Sequence, residues 1–218
     1  MKPLRRILAP IVIPRLEEAT FQYQGQSLPL TYHPNGATWS NERAVEIAIA
    51  RDYLERYKGK TVLEVGNVTS HYYDVRHAIL DKYEKGTGSI EVINEDVVEF
   101  ETERRFDLVI SISTIEHIGF DDDGDSRQKI PLAIAKCRSL LTPGGLFLAT
   151  VPLGYNPVLD ELVASDGLGF DRETFIRRNG RLAWVQCEKV DALRCNYGRP
   201  FPYANCIMVA ELDGSSTC

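Results

Sequence analysis

Long apolar runs are missing from this sequence. The nearest approach, "ILAPIVIP" close to the start, is short and twice broken by proline, whereas a membrane span needs about 20 apolar residues. Basic residues precede that run, as in a secretory leader, but no small-residue cleavage site follows it. Cysteine is sparse: Cys137, Cys187, Cys195, Cys206 and Cys218 make an odd count with no CxxC pair. This argues against a disulfide framework and a zinc site, and for a reducing, cytoplasmic setting. Basic residues are outnumbered, 25 Lys and Arg against 31 Asp and Glu, for a formal charge of −6. A dedicated nucleic-acid surface wants the opposite balance. Internal repeats and low-complexity linkers are also lacking. Glycine is scarce at one telling place: "VLEVGNVTSHYYD" (62–74) reads as a strand and ligand turn, yet holds only Gly66.

What is present is ordinary for a folded domain: 218 residues, 44% hydrophobic and 26% charged. Residues 1–40 are proline-rich and irregular. They read as an N-terminal extension, packed on the core or closing over a site as a lid. Residues 41–218 read as one α/β domain. Ser40 is placed to cap a helix from Asn41 to about Tyr57, with Glu42 in its first turn and Val45, Ala48, Ile49 and Tyr53 on a buried face. Residues 61–65, 106–112 and 145–151 are mostly apolar and do not alternate, the pattern of parallel strands covered on both faces. "HAIL" (77–80) and "IEVI" (90–93) are weaker strand candidates. "KIPLAIAKCRSLL" (129–141) has helical period, carries Pro131 near its first turn and is ended by "TPGG". Two late segments, 183–190 and 206–212, alternate enough for antiparallel strands. The order predicts a doubly wound, mostly parallel, seven-stranded sheet.

In such a sheet, ligands sit beyond the carboxyl ends of the strands, where residues 66–72 lie. A dinucleotide turn brings backbone against a pyrophosphate with successive glycines. Here Gly66 is followed by Asn67, which tolerates left-handed dihedrals, and by the β-branched Val68 and Thr69. NAD and FAD therefore fit poorly. S-adenosylmethionine, with a cationic sulfonium and no phosphate, asks less of the turn, and Glu64 at the strand end could hold its ammonium.

Five segments in order resemble the class I S-adenosylmethionine-dependent methyltransferases of the small-molecule type, over residues 40–155. "VLEVGN" is similar to their first motif up to its first glycine. "AILD" (78–81) resembles the second strand, "INED" (93–96) the adenine-contacting motif, "FDLVISISTIEHIG" (106–119) the fourth strand and its "LEH" segment, and "LLTPGGLFLATVPLG" (140–154) the turn into the fifth. The resemblance implies a Rossmann-like methyltransferase fold with S-adenosylmethionine as cosubstrate. Its implied contacts are Glu64, Gly66, Asn67 and Tyr72 at the first turn, Asp81 on the ribose, Asn94, Glu95 and Asp96 at the base, and Ser111 and Ser113, around the end of the fourth strand, on the adenine or methionine side. Only fifteen positions separate Gly66 from Asp81, against about twenty in a dinucleotide unit, so the first crossover must be very short.

For chemistry, a hydroxyl nucleophile wants a base. His117, after the fourth strand, is the first candidate, or else a histidine that holds the loop. Tyr155 and Asn156 stand where they could orient a substrate, or simply make the "YNP" turn. Glu116, His71, His77 and His33 are further candidates, and Trp39 with Glu42 could close a tail pocket. "DDDGD" (121–125) lacks the spacing of a calcium loop, so no metal is expected, and "FIRRNGR" (175–181) reads as an exposed turn. The expected activity is methyl transfer to a small molecule. The alternative is a reaction that consumes the same cosubstrate by cyclisation or aminocarboxypropyl transfer, releasing methylthioadenosine. A monomer or homodimer is expected, with no nucleic-acid or membrane partner.

Overall fold

The computed structural model describes residues 9–16, 19–86, 91–121, 124–180 and 182–214. The basic start up to residue 8, residues 122–123 of the acidic run, residue 181 of the arginine-rich segment and Cys218 lie outside them. After a 3-10 turn (Ile13–Arg15) comes a hairpin, β1 (Thr20–Tyr23) and β2 (Gln26–Pro29). Its two-residue turn, Gln24 and Gly25, has positive φ at both positions, which matches the twist of the strands it joins. Helix α1 (Arg43–Arg56) follows. It begins later than the sequence suggests, and Ser40 does not cap it: the Ser40 hydroxyl donates to Ala37 O at 2.8 Å, while Asn41 Oδ1 accepts from the Arg43 amide at 3.2 Å.

The main sheet holds β3 (Val62–Val65), β4 (Ala78–Leu80), β5 (Val92–Ile93), β6 (Phe106–Ile112), β7 (Leu141–Pro152), β8 (Arg172–Arg178), β9 (Trp184–Cys187) and β10 (Cys206–Asp213) in the order β5-β4-β3-β6-β7-β10-β8-β9. The first five run parallel, and β10, β8 and β9 are antiparallel to their neighbours. The sheet has eight strands, one more than expected. The addition is β8, whose "RETFIRR" looks like an exposed polar turn because only Phe175, Ile176 and Arg178 are buried. Apolar runs in β3, β6 and β7 are buried throughout or nearly so.

Both faces are covered. α1 and the hairpin pack Val45, Ile49, Phe21 and Tyr23 against Leu108, Ile110, Leu148 and Ile207. On the other face α2 (Ser126–Ser139) and α3 (Pro157–Ala164) pack Ile130, Ala133 and Leu159 against Val109, Phe147 and Ala149. Each such Leu, Ile or Phe contributes about 1.5–3 kcal/mol on burial. α2 starts three residues earlier than its apolar period suggests, because Asp125 Oδ1 caps it through the Arg127 amide at 2.9 Å. "TPGG" lies inside β7, where it makes a register shift against β6. Among the described residues no helix fills the β3–β4 crossover: a single 3-10 turn, Thr69–His71, bridges it. The chain leaves β3 toward β4 and β5, then returns to β6 on the other side. That reversal opens a crevice at the carboxyl ends of β3 and β6.

Candidate active site

A cavity of about 350 Å³ occupies that crevice, within the size range of small-molecule sites. Gly66 shapes its floor. Its φ is +88°, and an added Cβ would stand 2.1 Å from Thr114 Oγ1, so only glycine fits. Asn67 is not among the residues of positive φ, so it does not stand in for a second glycine.

The four amides of this turn all have acceptors within the chain. Gly66 N donates to Leu80 O at 2.8 Å and Asn67 N to Asp81 Oδ2 at 2.8 Å. Val68 N and Thr69 N both donate to Glu64 Oε1, at 3.0 and 2.8 Å. Glu64 Oε2 meets the Thr69 hydroxyl and, at 2.8 Å, His77 Nε2. Glu64 is fully buried beneath the turn and absent from the cavity wall. In place of the expected ammonium contact it braces the turn where a crossover helix would otherwise do so.

The wall carries Asp81, Glu84, Glu95, Asp96 and Asp121 against Lys82 and His117. Asp81 Oδ1 accepts from the Tyr83 and Glu84 amides at 2.8 and 2.7 Å. Asp96 accepts from the Val98 amide at 3.0 Å and pairs with Lys82 at 3.1 Å. Asn94 lies outside the cavity wall and ties Asp81 O to Glu84 O through its amide, at 2.9 and 2.6 Å. Glu84 was not singled out from the sequence. Its carboxylate accepts from Asn67 Nδ2 at 2.9 Å and lies 3.1 Å from His71 Nε2. The signal available was an acid three positions beyond the strand-end aspartate.

On the β6 side, His117 lines the cavity, with Nδ1 bonded to Asp121. Tyr155 Oη donates to the same carboxylate at 2.9 Å, and its ring meets His117 edge-on at 4.9 Å. Burial and that carboxylate push the Tyr155 hydroxyl up to about 12. Asp121 was read only as part of the acidic "DDDGD" run and not as a partner of His117, although it stands four residues after it in the sequence. Asn156 is a correction. Its side chain is fully buried, capping α3 through the Val158 and Leu159 amides and donating to Glu116 O at 2.8 Å. It positions the loop and lies outside the wall of this cavity.

Three more expected contacts lie outside the cavity wall. Tyr72 sits under the N-terminal segment, 5.4 Å from the His33 ring, and Asn35 Nδ2 bonds His71 O at 3.1 Å. Ser113, at φ +42°, donates to Glu46 Oε1 at 2.6 Å. Ser111 Oγ is buried with no partner among the described residues.

Behind His117 is a second group of charges. Glu46 is fully buried and satisfied by Ser113, by Thr150 Oγ1 at 3.0 Å and by Arg43 at 3.0 Å. Glu42 accepts from the Ala204 amide at 3.1 Å, and burial with the charge of Glu46 pushes its carboxyl up to about 7. Glu116 Oε1 is 3.5 Å from His117 Nε2, while Oε2 is buried without a partner among the described residues. Burial, with some help from Glu46, holds the Glu116 carboxyl well above the usual range.

Among the described residues no helix is long and apolar enough to cross a membrane, and no group of three or more His, Cys, Asp or Glu could hold a metal ion. No protein-family model matches the chain, and a search of curated proteins finds no match. Solved structures similar to it include the N-methyltransferase NodS from Bradyrhizobium japonicum in complex with S-adenosyl-L-homocysteine, at 16% identity over 79% of this chain and 86% of that one, with a TM-score of 0.45. A SAM-dependent methyltransferase from Archaeoglobus fulgidus is similar at 14% identity over 78% and 94%, with a TM-score of 0.48.

Proposed function

We propose that this protein is an S-adenosylmethionine-dependent methyltransferase acting on a small-molecule acceptor. One observation carries the reading: the crevice is walled by carboxylates, and every amide of its turn is taken by the chain itself. A nucleotide phosphate would find neither free donors nor a helix N-terminus there. A phosphate-free cation fits. Asp81 and Glu84 at the end of β4 would face the sugar hydroxyls, Glu95 and Asp96 the base, and the Gly66–Val68 backbone the tail. When bound, the cosubstrate supplies a methyl group activated by its sulfonium.

The chain supplies position and a base. Donation from Nδ1 to Asp121 leaves the lone pair of His117 on Nε2, at the cavity wall. Asp121, held in turn by Tyr155, steadies the imidazolium that forms when Nε2 takes a proton from the acceptor. The segment Asn35–Ser40, lying over Tyr72 and His71, would keep water from the tail end.

Calorimetry with S-adenosylmethionine, S-adenosylhomocysteine and NADH tests this. The first two should bind, NADH should not, and Asp81→Ala should weaken binding at least tenfold while melting confirms that it is folded. Equal binding of NADH, or no binding of S-adenosylhomocysteine at millimolar ligand, would refute it. Incubation with S-adenosylmethionine alone should leave it intact. Release of methylthioadenosine without acceptor would transfer the assignment to the non-methylating reaction.

A further inference from the structure

The charges behind His117 do not balance. Glu42, Glu46 and Glu116 gather within electrostatic reach of a single guanidinium, Arg43, which Glu46 already engages at 3.0 Å. Glu116 is 1% exposed and its Oε2 has no donor among the described residues. A buried carboxylate in that condition is either protonated or waiting for a cation. The second observation is aromatic. Tyr155 and Tyr197 meet edge-on at 5.3 Å, Phe120 closes on Tyr155 at 5.6 Å, and all three rings are partly exposed. The Tyr155 ring lies 4.9 Å from the His117 ring, whose Nε2 is 3.5 Å from Glu116 Oε1, so the aromatic group and the carboxylate meet at His117. Aromatic faces beside carboxylates form the surround that selects an organic ammonium over an alcohol of the same shape.

We propose that the methyl acceptor is an amine, received as its ammonium between the Glu116 carboxylate and the Tyr155 and Tyr197 rings. This rests on the methyltransferase reading above and names its substrate class. Glu116 is the counter-charge, and His117 Nε2, 3.5 Å from Glu116 Oε1, is the proton acceptor beside it. The ammonium gives one proton to Nε2. The freed nitrogen pair forms the N–C bond to the transferred methyl, and the C–S bond breaks with its pair left on sulfur. The product leaves as a methylated ammonium, and His117 returns its proton to water. An alcohol would bring no charge to Glu116 and would leave that carboxyl without its partner.

The test is thermal melting of protein saturated with S-adenosylhomocysteine, titrated at pH 7.5 with benzylammonium or with benzyl alcohol as its neutral isostere. The ammonium should raise the melting temperature and the alcohol should not. Glu116→Gln should weaken the ammonium response at least tenfold and leave the affinity for S-adenosylhomocysteine within twofold. Tyr197→Ala is the second variant and should weaken the same response severalfold. Equal stabilisation by the alcohol, no ammonium response in protein that binds S-adenosylhomocysteine, or an undiminished response in both variants would overturn the proposal. A tenfold loss of S-adenosylhomocysteine affinity in Glu116→Gln would overturn it too, because Glu116 would then face the cosubstrate. If wild-type protein fails to bind S-adenosylhomocysteine, it is the methyltransferase reading that falls.

Discussion

Glu211 in β10 and Glu116 in the turn after β6 are hidden from water to almost the same degree, 4% and 1% exposed. Their surroundings are opposites. Glu211 Oε1 accepts from Tyr53 Oη at 2.8 Å, from Tyr23 Oη at 3.0 Å and from Gln24, and Oε2 takes both nitrogens offered by Arg172, at 2.7 and 3.1 Å. Burial raises its pKa, but Arg172 and the other donors outweigh that and leave the carboxyl below the usual range. Glu116 has a histidine at 3.5 Å and one oxygen with no partner among the described residues, and its carboxyl rises. Burial alone therefore says little about what a carboxylate is for. A complete donor set makes Glu211 a fastener between the hairpin and the sheet. An incomplete one makes Glu116 a receptor.

The contrast is open to attack by substitution. Glu211→Ala strips acceptors from two buried tyrosines and should lower stability by about 3 kcal/mol in urea melts, with S-adenosylhomocysteine affinity of the folded protein unchanged. Glu42 gives the next effect. Its folded pKa of about 7 lies above the ordinary 4.5, so the native state holds that proton more tightly than the unfolded chain. Its contribution to stability is greatest below pH 4.5, declines as pH rises toward about 7, and is flat beyond. Glu42→Gln should remove that decline, about 3 kcal/mol for a rise from 4.5 to about 7, read from melting temperatures across the range. Glu116→Gln should change stability by under about 1 kcal/mol, since the carboxyl it replaces is buried with one oxygen unpaired among the described residues and so gives up no donor there. A loss as large as that of Glu211→Ala would erase the distinction. Smallest is Asp121→Asn, within about 0.5 kcal/mol because the site is exposed, yet turnover should fall about 100-fold as His117 loses its orienting carboxylate.

These differences also mark where sequence reading stops. β3, β6 and β7 were legible because strands buried on both faces are built mostly of apolar side chains. β8 was not, since Arg172 pairs with Glu211 and the buried Arg178 lies over the rings of Trp184 and Phe201, contacts that its own letters do not show. In "IEH" the letters place Glu116 and His117 side by side, but the 3-10 turn Ile115–His117 sends one inward and the other to the cavity. Local pattern cannot resolve a split between neighbours. Nor could it show Asn156 turned into a helix cap, or Glu64 Oε1 filled by amides four and five residues onward.

The tie between the hairpin and Glu211 bears on where this chain can be cut. Phe21, Tyr23, Leu28 and Leu30 belong to the same buried cluster as α1 and the sheet. A shortened version begun at residue 41 would bare an oily flank of the sheet and deprive Glu211 of Tyr23 and Gln24. Such a truncate should clump on expression, whereas trimming that spares residue 19 onward keeps this flank sealed.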